Sequence, residues 1–250
     1  MQVYLSLARR ELAGYFISLT GYIVIGAAMF LLGLSFVVLL VKLQQEPTPM
    51  PITELFYITP FFWLVLLLAT PVITMRLFAL EKFSGTFETL MTAPVSDVQV
   101  VLAKFTAALV FYALTWLPLL GCLWVVGHYS NETSAFDAGA VGSTFLGILL
   151  LGCLFISVGC CASALTRSQV IAAMISLMFG VSLFLLGVLA DQLPSQATWQ
   201  AQALACFALF EQMHDFARGV VDTRPLVLFV TLSGFFLFLT LRVVESRRWN

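Results

Sequence analysis

Long apolar stretches alternate with short polar segments along the whole chain. Six of these stretches are long enough to cross the hydrocarbon core of a membrane, which takes roughly 20 helical residues. They lie near Gly21–Val41, Phe56–Met75, Val98–Val126, Gly139–Leu165, Val170–Ala190 and Leu226–Leu241. They lack the alternation of apolar and polar positions that is typical of an outer-membrane β-barrel. The pattern therefore predicts an all-α, polytopic membrane protein with six transmembrane helices.

The first twenty residues predict an amphipathic helix that lies in the membrane interface. One broad arc of this helix is apolar and comprises Tyr4, Leu7, Ala8, Leu12, Tyr15, Phe16 and Leu19, whereas Gln2, Ser6, Arg9 and Arg10 lie opposite. Glu11 projects near the apolar arc, which is unusual for a simple interfacial anchor. Either a partner neutralises its carboxylate, or the side chain reaches the aqueous surface.

The Lys and Arg residues are distributed unequally between the two sides of the predicted bundle. If the six spans alternate in direction, nine of the twelve fall on one side and three on the other. Because loops rich in Lys and Arg stay in the cytoplasm, both termini are predicted to be cytoplasmic. The segments Lys42–Glu54, His128–Ala138 and Asp191–Arg224 are then extracytoplasmic. Only 10% of the residues are charged, against roughly 25% in a soluble domain, so an ordinary soluble protein is excluded.

A polar stretch, EKFSGTFETLMTAP at Glu81–Pro94, separates the second and third spans on the predicted cytoplasmic side. Ser84 or Gly85 is suited to cap the N-terminus of a helix there, and Pro94 to stop it. Apolar side chains recur at helical spacing on one side of this stretch, at Phe83, Phe87, Leu90 and Met91. A short rigid helix with one apolar face is suited to transmit a push from a soluble partner. An interfacial helix without a partner explains the same pattern equally well.

Two other segments carry predictions about packing. The fourth span is rich in glycine, at Gly139, Gly142, Gly147, Gly152 and Gly159, which predicts close approach of neighbouring helices. The segment Asp191–Arg224 predicts an outer helix that caps the bundle and ends at Gly219. His214 in that segment is a weak candidate for a metal or acid–base site, because its potential partners do not converge in the sequence.

The absence of several motifs narrows the functional class. No acidic or basic residue lies in the middle of a span, which disfavours an ion-coupled carrier. Hydrolase signatures and the phosphate-binding loop G-x-x-x-x-G-K-[ST] are also missing from the sequence. An intramembrane enzyme is therefore disfavoured, and any ATP must be hydrolysed by another chain. The sequence indicates no cofactor or metal.

The residues of the polar stretch resemble the cytoplasmic motif of ABC-2 type transporter permeases. The shared positions are Glu81, Gly85, Thr86, Glu88, Leu90 and Pro94, followed by Lys104. The third span commonly opens with Gly-Lys in that family, whereas Ala103 precedes Lys104 here. The C-terminal stretches HDFARGVVDTRPLVLF and LRVVESRRW are similar to those of the GldF-like, gliding-motility subgroup, and more distantly to NosY. The resemblance covers residues 1–250 as one transmembrane domain, including an Arg-Glu-Leu step in the interfacial helix at residues 10–12.

The resemblance implies a permease subunit in the bacterial inner membrane, without catalytic activity of its own. Residues 81–94 would form the coupling helix that docks on the ATP-binding subunit, through Glu81, Gly85, Thr86, Phe87, Glu88, Leu90, Met91 and Pro94. The interfacial helix would brace it, through Arg9, Arg10 and Glu11. The implied partners are two ATP-binding chains, a second permease chain (identical or not) and membrane lipids, but not nucleic acid. The resemblance to the GldF-like subgroup adds a GldG-like protein with a periplasmic domain. The alternative is a force-transmitting subunit that acts on an extracytoplasmic partner without moving a substrate.

Overall fold

All of the regular structure is helical in the part of the chain that the computed structural model describes, which is residues 2–45, 53, 56, 59–86, 95–129, 138–192 and 209–246. In chain order the helices are α1 (Gln2–Ile17), α2 (Leu19–Gln45), α3 (Pro60–Thr74), α4 (Ala79–Ser84), α5 (Asp97–Thr115), α6 (Leu117–Tyr129), α7 (Ala138–Leu165), α8 (Gln169–Gln192), α9 (Leu209–Ala217) and α10 (Thr223–Ser246). The prediction of an all-α fold is confirmed.

Six helical stretches within these residues are long and apolar enough to cross a membrane. They are Leu19–Val41, Pro60–Ser84, Asp97–Val125, Ala138–Leu165, Gln169–Leu189 and Thr223–Ser246. Each overlaps one of the predicted spans, so the prediction of six spans is confirmed. The largest difference lies in the second, which was expected to end at Met75. The observed stretch instead extends to Ser84, because a turn after α3 leads directly into α4.

Helix α7 forms the centre of the bundle. It packs against α3, α5, α8, α9 and α10, and 72% of its most apolar stretch is buried. The corresponding shares are 28% for α2 and α8 and 22% for α10. These three outer helices therefore present apolar side chains outward, as expected where lipid or another transmembrane chain surrounds a bundle.

Glycine allows α7 to approach its neighbours closely. A Cβ atom added at Gly159 would lie 2.6 Å from Cβ of Thr74, the last residue of α3, and one added at Gly152 would lie 2.2 Å from the Tyr112 ring in α5. Real Cβ atoms do not reach such distances. The predicted close packing of the glycine-rich span is confirmed at these two positions.

The third span is interrupted just before Pro118. Helix α5 ends at Thr115 and α6 begins at Leu117, with the buried ring of Trp116 between them. Proline has no N–H to donate to the preceding turn, so the helical ladder cannot continue through it. The backbone N–H groups of Trp116 and Leu119 form tighter i to i−3 bonds instead. The third span therefore consists of two helices separated by a break at Trp116.

The short helix α9 covers the end of the bundle away from α1. It buries Leu209, Met213 and Phe216, the last two against Gly147 of α7, and the Ser143 hydroxyl donates to the Phe216 carbonyl at 2.6 Å. Gly219 follows this helix with a φ of 87°, in the left-handed region that favours glycine. The predicted end at Gly219 is confirmed. Residues 193–208 of the predicted outer segment lie outside the described residues.

Helix α1 packs on α5. The Tyr4 hydroxyl hydrogen-bonds that of Thr106 at 2.9 Å, and the Tyr15 ring stacks on Phe111 with centroids 4.6 Å apart. The predicted apolar arc is thus used for protein packing at these positions. At its far end Leu19 is exposed, whereas the partly exposed Phe16 contacts the edge of the Phe111 ring, with centroids 5.7 Å apart. Glycine at position 21 lets the chain turn sharply there, with its Cα close to the Tyr15 carbonyl.

Candidate functional site

The candidate site begins at the turn between α3 and α4, which one serine of α7 holds. The buried Ser163 hydroxyl accepts hydrogen bonds from the backbone N–H groups of Phe78 and Ala79, both at 3.1 Å, and donates to the Met75 carbonyl at 3.2 Å. The first N–H groups of a helix have no acceptor within the helix. The serine satisfies two such donors at the start of α4 and thereby fixes this helix to the core.

A second contact joins α4 to the same end of α7. The Lys82 ammonium donates to the Ala164 carbonyl, one residue before the end of α7. Carbonyls in the last turn of a helix lack intrahelical partners and carry the negative end of the helix dipole. A lysine is therefore well suited to this position. Helix α4 is held at both of its ends by the central helix of the bundle.

The most conspicuous feature of the site is a buried lysine shared by two carboxylates. Nζ of Lys104, in the second turn of α5, lies 2.8 Å from Oε1 of Glu81 in α4 and 3.2 Å from Oε1 of Glu11 in α1. The Lys104 side chain is only 2% exposed, and its ammonium lies 5.4 Å from the centre of the Phe78 ring. A buried ammonium is costly unless it is paired, so the two carboxylates are a requirement of its position.

Arg10 completes the group, which we call the Lys104 cluster (Arg10, Glu11, Glu81 and Lys104). Its Nη2 lies 2.9 Å from Oε1 of Glu11 and 3.8 Å from Oε1 of Glu81. Two cations therefore balance two carboxylates. Because the members belong to α1, α4 and α5, the cluster ties three helices together at one end of the bundle. The cluster therefore holds these three helices together through ion pairs.

One oxygen of the cluster is not satisfied. Oε2 of Glu81 is buried, and no donor among the described residues reaches it. An unpaired buried acceptor is unfavourable by about 1–3 kcal/mol. The position of Glu81 is therefore held by Lys104 on one oxygen and by its place in α4, and not by a complete set of hydrogen bonds.

The predicted helix at residues 81–94 is divided at Gly85. Glu81 to Ser84 belong to α4, and Gly85 ends this helix with a φ of 75°. Thr86 is helical again, and its hydroxyl hydrogen-bonds that of Ser84 at 2.8 Å. One continuous helix over residues 81–94 is therefore wrong, because Gly85 adopts the left-handed conformation. The predicted start of a helix at Ser84 or Gly85 stays a prediction, since residues 87–94 lie outside the described residues. Phe83 lies on the preceding helix and is 77% exposed.

The remaining predicted contact residues, Phe87, Glu88, Leu90, Met91 and Pro94, lie outside the described residues. The predicted bracing residues differ from one another. Arg10 and Glu11 belong to the Lys104 cluster, whereas Arg9 is exposed and forms no ion pair within the described part of the chain. Lys104 was known only as a motif position, and its pairing with Glu11 explains why an acid lies near the apolar arc of α1.

Tyr15 adds a further link between α1 and the second span. Its hydroxyl donates to the Ile73 carbonyl at 3.0 Å, close to the end of α3. Burial raises the pKa of this hydroxyl well above its ordinary value, so that it remains a donor. The sequence assigned Tyr15 only to the apolar arc. Neither this contact nor that of Ser163 has a local sequence signal.

Six spans, an N-terminal helix packed on the third span and a short helix at the end of the second span define a multi-pass membrane protein. The family model for ABC-2 family transporter proteins matches residues 37–218, which is more than half of the chain. The chain therefore belongs to the ABC-2 family and is a membrane permease subunit of an ABC transporter. No curated protein matches the sequence. The matched range includes Glu81 and Lys104 but begins after α1.

Proposed function

We propose that this permease couples ATP hydrolysis by a separate ATP-binding subunit to export or extrusion across the membrane. In this proposal the segment Gly85–Pro94 contacts the ATP-binding subunit, and the Lys104 cluster transmits the movement of that segment to α1 and α5. The observation that carries the proposal is the buried contact of Lys104 with both Glu81 and Glu11. Membership of the ABC-2 family supports an ATP-binding partner.

The position of α4 supports this assignment. Helix α4 is hydrogen-bonded to Ser163 and Ala164 of α7 and ends at Gly85. Near that end, the ring of Phe83 is exposed. A force applied to the segment that follows Gly85 acts first on α4. Because α4 is bonded to α7 and paired with α5, it cannot move without displacing these helices or breaking the contacts.

The energetics of the cluster favour transmission over breakage. Removing one partner of a buried ion pair costs roughly 3–5 kcal/mol, because a charge is left uncompensated. The two carboxylates are partly exposed, which places this cluster below that range. The contact is still stronger than an ordinary surface ion pair, which contributes roughly 0–1 kcal/mol. Movement of α4 is therefore expected to carry α1 and the start of α5 with it.

The finer features of the proposal extend the family assignment. We place both termini in the cytoplasm of a bacterial inner membrane, since most Lys and Arg residues then face inward. The assembly would contain two permease chains and two ATP-binding chains. Similarity of the C-terminal stretches supports a GldF-like subunit with a GldG-like partner. If that partner is the target of the movement, the same coupling would drive it without transport of a substrate.

The test is recovery of the ATP-binding subunit by affinity-tagged permease. Phe87→Ala should weaken the affinity for the ATP-binding subunit at least about thirtyfold and lower its recovery accordingly. The reason is that an interface anchor commonly contributes roughly 2 kcal/mol or more. Thr48→Ala, in the predicted extracytoplasmic loop, is the matched control and should behave as wild type. Equal recovery by wild type and both variants would contradict the assignment of Gly85–Pro94 as the coupling segment.

A further inference from the structure

The guanidinium of Arg76, just after α3, is held by hydroxyl groups and not by a carboxylate of the described residues. Its Nη1 donates to the hydroxyls of Ser18 and Thr20, where α1 meets α2. Within the residues that the structure describes, no Asp or Glu forms an ion pair with it. A guanidinium carries five N–H donors. The two hydroxyls therefore leave donors of a half-buried cation available to an anion.

Arg76 also lines an open cavity of about 110 Å³ between α1 and the turn before α4. Gly14 contributes to the wall of this cavity, and a Cβ atom added there would meet no atom within 4 Å. Glu11 lies on the same wall, but its Oε1 is paired with Lys104 and Arg10. The cavity gives a ligand on the α1 side of the bundle access to the Arg76 guanidinium.

A second, independent feature is an apolar groove of about 120 Å³ between α2 and α3. Its walls are formed by residues between 23 and 31 of α2 and between 65 and 72 of α3. The exposed side chains of Ile23 and Leu68 form its rims. The small side chains of Ala27 and Ala69 leave room for the groove between α2 and α3. All of its lining residues are apolar, so the groove suits an alkyl chain and offers no polar partner.

The groove is aligned with the Arg76 site. Ile23 follows Thr20 by three residues in α2, so these two residues lie on one face of that helix. Val72 belongs to the last turn of α3, and Arg76 follows the end of that helix by two residues, so the groove begins about one helical turn from Arg76. It extends along α3 from Val72 to Val65, or about 10 Å at 1.5 Å per residue.

We propose that Arg76 and this groove together bind one glycerophospholipid from the leaflet on the α1 side. The lipid phosphate contacts the Arg76 guanidinium beside the hydroxyls of Ser18 and Thr20. One acyl chain occupies the groove between α2 and α3. Guanidinium groups recognise phosphate by charge and by paired N–H donors, and a flexible alkyl chain fits a narrow apolar groove. This inference does not depend on coupling to ATP hydrolysis.

The test is binding of dioleoyl phosphatidylglycerol to the purified, delipidated full-length chain, measured by native mass spectrometry. Arg76→Gln removes the cation, and Ala27→Phe fills the groove from an exposed position. Each should weaken the affinity roughly tenfold, which corresponds to about 1.4 kcal/mol. The matched controls are Arg242→Gln, at another exposed arginine, and Met29→Phe, on α2 outside the groove; both should bind as wild type.

Two further arms identify the source of the phosphate and the occupant of the groove. Dioleoylglycerol lacks the phosphate, so its affinity for the wild-type chain should be low. This affinity should equal that of phosphatidylglycerol for the Arg76→Gln variant. Inorganic phosphate at millimolar concentration should not displace the lipid. Wild-type affinity in both Arg76→Gln and Ala27→Phe would overturn the proposal, as would displacement of the lipid by inorganic phosphate. Efficient disulfide formation between two Ala27→Cys copies in native membranes would also overturn it, because a second copy would then cover the groove.

Discussion

Replacing Lys104 by methionine tests whether the Lys104 cluster holds α1, α4 and α5 together. Methionine keeps most of the length of the side chain and removes the ammonium that lies 2.8 Å from Glu81 and 3.2 Å from Glu11. Two carboxylates then remain with Arg10 as their only cation within the described cluster. Breaking a fully buried pair costs roughly 3–5 kcal/mol. Because both carboxylates are partly exposed and Arg10 remains, we expect a loss of about 2–3 kcal/mol.

A double-mutant cycle separates the ion pair from other effects of the substitution. Glu81→Gln alone should lower the free energy of unfolding less than Lys104→Met does, since Lys104 remains paired with Glu11. The double variant retains the Arg10–Glu11 pair. Its loss of unfolding free energy should therefore be smaller than the sum of the two single losses by at least about 1 kcal/mol. Unfolding of the purified chain in mixed micelles, followed by circular dichroism, gives the free energies of unfolding.

The surface pair of Arg242 and Glu245 supplies the control for this cycle. Their side chains lie 3.0 Å apart at the end of α10, and Arg242 is 64% exposed. Arg242→Gln should change the free energy of unfolding by less than about 1 kcal/mol. If Lys104→Met and Glu81→Gln are additive to within about 0.5 kcal/mol, the two residues do not interact as described, and the cluster does not join α4 to α5.

Two other predictions concern packing and orientation. Gly159→Ala should destabilise the chain by about 1–3 kcal/mol, because its new methyl group meets Thr74, whereas Gly142→Ala has open space and should be nearly neutral in the same unfolding measurement. A cysteine introduced at Thr48 in a cysteine-free background should react with an impermeant thiol reagent from outside the cell. Labelling of that cysteine only after lysis would reverse the proposed orientation.

The spans were predictable because their signal is local and strong. Twenty or more apolar residues in sequence identify a membrane-spanning helix regardless of its neighbours, and Gly219 ends α9 through a conformational preference of its own. The same local reasoning predicted a helix face on α1. It did not predict that Tyr15 stacks on Phe111 or that Phe16 meets the same ring edge-on, because these contacts depend on where α5 lies.

The candidate site was predictable only in part. The sequence left open whether a partner neutralises the oddly placed carboxylate of Glu11 or whether it reaches the surface. Nothing local identifies Lys104 as its partner, because this residue is distant in the sequence and comes from another helix. Gly85 was recognised as a helix boundary, but its role as the end of α4 depends on a helix that the sequence did not predict there. The role of Ser163 depends entirely on tertiary packing of α7 against the turn before α4.

The stimulation of ATP hydrolysis by the permease tests the central claim most directly. The rate of the ATP-binding subunit in complex with wild-type chain is compared with its rate in complex with Lys104→Met and with Arg242→Gln. We predict that Lys104→Met still recovers the ATP-binding subunit but stimulates its ATP hydrolysis at least about tenfold less than wild type. Arg242→Gln should stimulate ATP hydrolysis as wild type does. Full stimulation by a correctly folded Lys104→Met chain would contradict transmission through the Lys104 cluster.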